Sequence, residues 1–64
     1  MPRHHFAIVN GITVPDPEGI ELPDEARARS YAENVARRLK AEKMSRLTIR
    51  VSDDNGHLLF EIRV

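Results

Sequence analysis

His4 and His5 are the first residues whose type could do chemistry, because neutral imidazole nitrogens are common metal ligands. Neighbours in an extended strand point to opposite faces, so the pair cannot chelate one ion unaided. A surface role is the expectation. His57 would complete a site only if the sheet brought it to the first strand, and its place at the far hairpin turn argues against that. A second candidate is the acidic set Asp16, Glu18, Glu21, Asp24 and Glu25. These are hard oxygen ligands, but their spacing lacks the alternation of a calcium-binding loop, and capping and solvation account for them. The run Asp53-Asp54-Asn55-Gly56 invites the same thought and has a plainer explanation, since all of these are ordinary turn formers. No metal and no cofactor is expected.

Basic residues form the third candidate. Arg37, Arg38, Lys40, Lys43 and Arg46 cluster toward the end of a helical pattern and could meet phosphate, as in a weak nucleic-acid binder. Bases at a helix C-terminus also complement its dipole, and no exposed aromatic is interleaved for base stacking. Catalysis has less support. The chain has no Cys, no glycine-rich phosphate loop, no GxSxG, and no His spaced with a nucleophile and a carboxylate.

The elements that must position these residues belong to one small domain. A chain of 64 residues buries only about 60% of the surface its unfolded form exposes. Its core is therefore thin, and a net stability of no more than about 3 to 5 kcal/mol is expected. Small domains compensate with disulfides, metals or a second subunit, and the absence of Cys leaves self-association as the remaining device. Ten acidic residues balance ten basic ones, so no global field draws the chain to nucleic acid or lipid. No apolar run reaches the roughly 20 residues needed to span a bilayer, and the first residues lack the apolar stretch of a signal peptide. A cytoplasmic protein without membrane contact is expected.

Residues 4–9 are rich in β-formers and end at Asn10-Gly11, a strong hairpin signal. Ile12, Thr13 and Val14 read as the returning strand, ended by Pro15. A two-residue turn would put Ala7, Val9, Ile12 and Val14 on one face, whereas a three-residue loop groups Phe6, Ile8 and Val14. The second grouping is favoured because it buries larger side chains. Residues 16–24 read as an ordered loop pinned by Ile20 and Leu22, after which Asp24 caps a helix that should end near Lys43. Ala28, Ala32, Val35 and Leu39, with Tyr31 beside them, form its buried stripe, while Glu25, Arg29, Glu33 and Arg37 occupy the solvent face.

Leu47, Ile49 and Val51 alternate with polar residues, as do Leu58, Phe60, Ile62 and Val64 beyond the turn. Both sets reach one face only if the connecting loop is even in length. A two-residue loop would set Arg50 opposite Glu61. The order is ββαββ, and a right-handed crossover predicts a two-layer α+β fold, one helix on a four-stranded antiparallel sheet with strands in the order 2-1-3-4.

Met1-Pro2-Arg3 with Phe6, then Asp16-x-Glu18-Gly19-x-Glu21-Leu22-Pro23-Asp24, an alanine- and arginine-rich helix, and Ile49-x-Val51-x-Asp53-x-x-Gly56 are all present. In these features the chain resembles, over essentially its whole length, a family of short bacterial proteins that is a domain of unknown function. Its marks are an MPR-aromatic strand and an EGxELPD stretch before a single helix. Members usually carry aromatic residues where His4 and His5 stand, so no role of that pair is transferred. The resemblance implies a fold and a bacterial cytosolic setting, and it implies no activity.

With the helix covering one side of the sheet, Ala7, Val9 and Leu59 are expected on the other, exposed among Thr48, Arg50 and Ser52. Such a patch on a domain short of core is how a homodimer interface or partner-docking surface looks. A small non-enzymatic binding or assembly module, acting through self-association or a protein partner, is the expectation.

Overall fold

The computed structural model describes residues 2–44 and 46–64; Met1 of the N-terminal motif lies outside them. One helix lies on an open antiparallel sheet, giving the expected α+β class. The elements are β1 (Arg3–Val9), β2 (Thr13–Val14), β3 (Ile20–Glu21), α1 (Glu25–Ala41), β4 (Thr48–Asp53) and β5 (Leu58–Arg63). Along the sheet β2, β1, β4 and β5 follow one another, which is the expected order of the four longer-read strands. The fifth strand is a correction. β3 pairs with the same edge of β1 as β2 does, setting Arg3 opposite Glu21 and His4 opposite Ile20. Two residues carry no periodicity to announce a strand, but the backbone of β1 needs partners on this side.

The first hairpin takes the register of the three-residue loop, with Ile8 opposite Val14 and Val9 opposite Thr13. Ile12 is not in the strand. It sits in the loop, 74% exposed, its carbonyl accepting from Asn10 N–H at 3.1 Å. Val14, expected to be buried, is 57% exposed because α1 packs against β4 and β5 and does not extend over β2.

Asp24 caps α1 by accepting a 2.8 Å bond from Arg27 N–H. The helix closes at Ala41, short of the expected Lys43, in a Schellman arrangement. Lys43 N–H donates to Lys40 O at 3.0 Å and Met44 N–H to Leu39 O at 2.9 Å, with Lys43 at φ 63° in the left-handed region usually held by glycine. The alanine stripe does what its size permits. Ala28 and Ala32 are fully buried, so the helix axis comes close to Ile49, Val51 and Phe60, with Val35, Leu39 and Ile62 packed around them. Arg29 is not confined to the solvent face. Its guanidinium stacks over the Phe60 ring at 4.3 Å and roofs the core.

The second hairpin corrects the expectation of an even loop. Asp53 N–H donates to His57 O at 2.9 Å, and Gly56, at φ 84°, donates to Asp53 O at 3.1 Å, leaving an odd loop of residues 54–56. Parity is restored by a bulge between Val51 and Ser52, whose partners are Phe60 and Leu58, so that Leu59 is the extra residue. Past the bulge Ile49 faces Ile62 and Arg50 faces Glu61, as the two-residue loop would have placed them.

Candidate functional site

β1 places His4 and His5 on opposite faces of the sheet, as its pleat requires. His4 points under the helix layer, 4% exposed, and its Nδ1 has no hydrogen-bond partner among the described residues. His5 lies on the open face between two acceptors. Its Nδ1 is 2.7 Å from the backbone carbonyl of Asp16, and its Nε2 is 2.9 Å from Asp54 Oδ1. A neutral imidazole has one N–H and can donate to only one of them, whereas imidazolium satisfies both. The hydrogen bond to Asp54, then that to the Asp16 carbonyl, raise the His5 pKa above its ordinary 6.5 against the opposing effect of burial.

Asp16 is the hub on the other side of this contact. Its Oδ2 accepts from Phe6 N–H at 3.1 Å and its Oδ1 from Gly19 N–H at 3.2 Å. β2 pairs β1 at residues 8–9 and β3 pairs it at residues 3–4, so the carboxylate supplies the acceptor that the gap at Phe6 lacks. Gly19 has φ 69°, and a Cβ there would meet His4 O at 2.9 Å and the Arg3 and His5 side chains at 2.8 and 2.9 Å. Arg3 closes the same loop, donating from Nη1 to Glu18 O at 2.6 Å and from Nη2 to Glu21 Oε1 at 3.3 Å.

The acidic set is thus spread over separate structural tasks: Asp16 at the β1 edge, Glu21 on Arg3, Asp24 at the helix cap. The far turn does reach the first strand, since antiparallel pairing sets His4 opposite Asp53. His57 itself pairs instead with Asp53, Nδ1 to Oδ2 at 3.4 Å. Amide bonds from His57, then Asn55, hold the Asp53 carboxyl below its ordinary range, aided by the His57 charge. Among the described residues, no three His, Asp or Glu side chains stand where they could hold a metal ion.

Of the three residues expected on the open face, Ala7 and Val9 lie there and Leu59 does not. The bulge turns Leu59 inward against the core and turns Leu58, 48% exposed, outward in its stead. Two shallow hollows share this face. One, of about 310 Å³, lies among His5, Pro15, Asp16, Asp54 and Gly56, and the other, of about 260 Å³, among Ala7, Thr13, Arg50, Ser52 and Leu58. Sequence reasoning missed a third feature, an apolar cleft of about 270 Å³ between α1 and the β1 edge, lined by Phe6, Ile8, Ile20, Tyr31 and Val35 with Asp16 at its rim. Phe6 and Tyr31 meet there with ring centroids 4.9 Å apart.

Of the basic residues, Arg37 donates to Asn34 Oδ1 and lines a groove with Lys40, while Arg38, Lys43 and Arg46 are exposed around the helix end. Among the described residues none of the five forms an ion pair with a carboxylate. No described helix is long and apolar enough to cross a membrane. A family model described as a domain of unknown function, DUF6894, matches residues 3–64. No curated protein and no solved structure matches the chain.

Proposed function

The chain belongs to the DUF6894 family of domains of unknown function, and from that premise we propose that it is a small non-enzymatic binding or assembly module of the bacterial cytoplasm, working through self-association or a protein partner. The observation that carries this reading is the open sheet face. α1 covers one side of the sheet only, and the other presents Ala7, Val9 and Leu58 between polar Thr48, Arg50 and Ser52. A core whose largest fully buried side chains among the described residues are Ile49 and Val51 leaves the domain much to gain from a second chain.

Self-association is the form of this reading that the chain alone can test. Sedimentation and amide chemical shifts followed from low to high micromolar concentration should show a rising mass, with shifts confined to the open face or an edge of the sheet. A species that stays monomeric, with shifts that do not move, overturns self-association. A second reading, weak binding of nucleic acid, is favoured by the five bases around the helix end, which have no carboxylate partner among the described residues. Titration with labelled DNA and RNA at two salt concentrations tests it, and binding without salt dependence, or none, removes it.

A further inference from the structure

We propose that the β5 edge is a self-complementary docking strand, whose occupant is β5 of a second copy of this chain paired antiparallel about a two-fold axis at Ile62; this rests on the assembly reading above and names its surface. Among the described residues β5 pairs with β4 alone, so one side of its backbone has no strand partner there. Val64 N–H donates to Leu47 O at 2.8 Å, and in an antiparallel ladder the residues that bond inward alternate with those that point away. Ile62 and Phe60 follow Val64 inward. Glu61 and Arg63 therefore turn their N–H and C=O groups to the free edge.

That alternation restricts the registers open to two copies. Side chains of the two strands must stay on matching faces, and the bonds must join outward-pointing residues, so only every second register is allowed. Centring on Glu61 would set Glu61 against itself, and centring on Arg63 would set Arg63 against itself. Like charges directly opposite are unfavourable. Centring on Phe60 would pair Glu61 with the bulged Leu59, where the ladder is irregular. Centring on Ile62 sets Glu61 opposite Arg63 of the second copy, twice by symmetry, as a closed two-fold interface demands.

The side chains already stand in suitable places. Glu61 is held by Arg50 at 3.0 Å, and Arg63 has no carboxylate partner among the described residues. In the pair, a row Arg50, Glu61, Arg63 of the second copy would alternate in sign across the junction. On the helix side, Ile62 would meet its own copy and Phe60 would meet Val64. The groove of about 160 Å³ along this edge, lined by Ala36, Ile62 and Val64 together with Glu33, Lys40 and Arg63, would be covered. Exposed edges are commonly defended by proline, by inward charges or by brevity. Residues 58–63 form a six-residue strand without proline, and its outward charges repel strangers while matching their own copy.

Sedimentation of wild type, Arg63→Glu, Glu61→Arg and Arg63→Pro across a concentration series tests this, with circular dichroism confirming that each is folded. Arg63→Glu and Glu61→Arg alone should each weaken self-association by about tenfold or more. Mixed, the two should associate with each other, since both cross-strand pairs then become opposite in sign. Arg63→Pro removes an outward N–H, which an edge strand tolerates, and should also abolish pairing. Wild-type association that persists unchanged in Arg63→Glu and Arg63→Pro overturns the edge proposal while leaving assembly through the open face in place. A wild-type chain that stays monomeric at high micromolar concentration overturns both.

Discussion

His5 and Asp54 are 49 positions apart in the chain, and His5 Nε2 lies 2.9 Å from Asp54 Oδ1. With His5 Nδ1 on the Asp16 carbonyl at 2.7 Å, one imidazole ties the loop after β2 and the turn before β5 to the first strand.

A group whose folded pKa is raised contributes stability fully below its unfolded pKa, and that contribution fades as pH climbs through the folded value. The His5 value is raised above 6.5, so thermal stability should decline as pH rises from below 6.5 into the mildly alkaline range. Unfolding temperatures measured across that window in wild type and His5→Phe check the point. The variant should show the flatter profile, and equal slopes would mean that the bridge does not hold in solution.

Asp16→Ala removes the acceptor for Phe6 N–H and Gly19 N–H together. Leaving part-buried donors unmet costs about 1 to 3 kcal/mol, a large share of what so small a domain has. Urea unfolding should show the midpoint fall by a corresponding amount, with amide exchange at Phe6 accelerated.

At Gly19 a side chain meets both strain and contact. Alanine there would hold a left-handed φ of 69° with its Cβ 2.9 Å from the His4 carbonyl oxygen. Backbone oxygen in a ladder cannot move aside cheaply, so Gly19→Ala should destabilise by about 2 kcal/mol. Gly11→Ala is the control. It also has positive φ, but a Cβ there would meet nothing within 4 Å among the described residues, and the change should cost less.

Lys43 occupies the left-handed residue of the helix C-terminal motif. Replacing it with glycine relieves roughly 1 kcal/mol of strain and should raise the melting temperature. Since Lys43 also belongs to the basic group, the same variant tests whether that group binds nucleic acid: stability should rise whether or not affinity falls.

Several parts of this fold are legible in the residues themselves. Asp24 followed by an acid and the four-three-four apolar steps mark the helix and its start, because a cap and a buried stripe are short-range requirements. The alternation of Leu47, Ile49 and Val51 marks β4 for the same reason. β3 is not legible, since two residues cannot show a period. Nor is the odd loop, because Asp53-Asp54-Asn55-Gly56 suits more than one turn and the bulge that compensates for it leaves no mark in residue type.

By itself, then, the order of residues determined the helix with its buried stripe, four of the five strands and their succession, all of which follow from hydrogen bonding and burial within a few residues of each site. Tertiary structure alone decided that Asp16 completes the β1 edge, that Arg29 roofs Phe60, and that Leu58 rather than Leu59 faces outward. Those outcomes depend on which strand lies beside which and on one inserted residue. A period of two turns a single-residue shift into a change of face, so no local pattern can predict it.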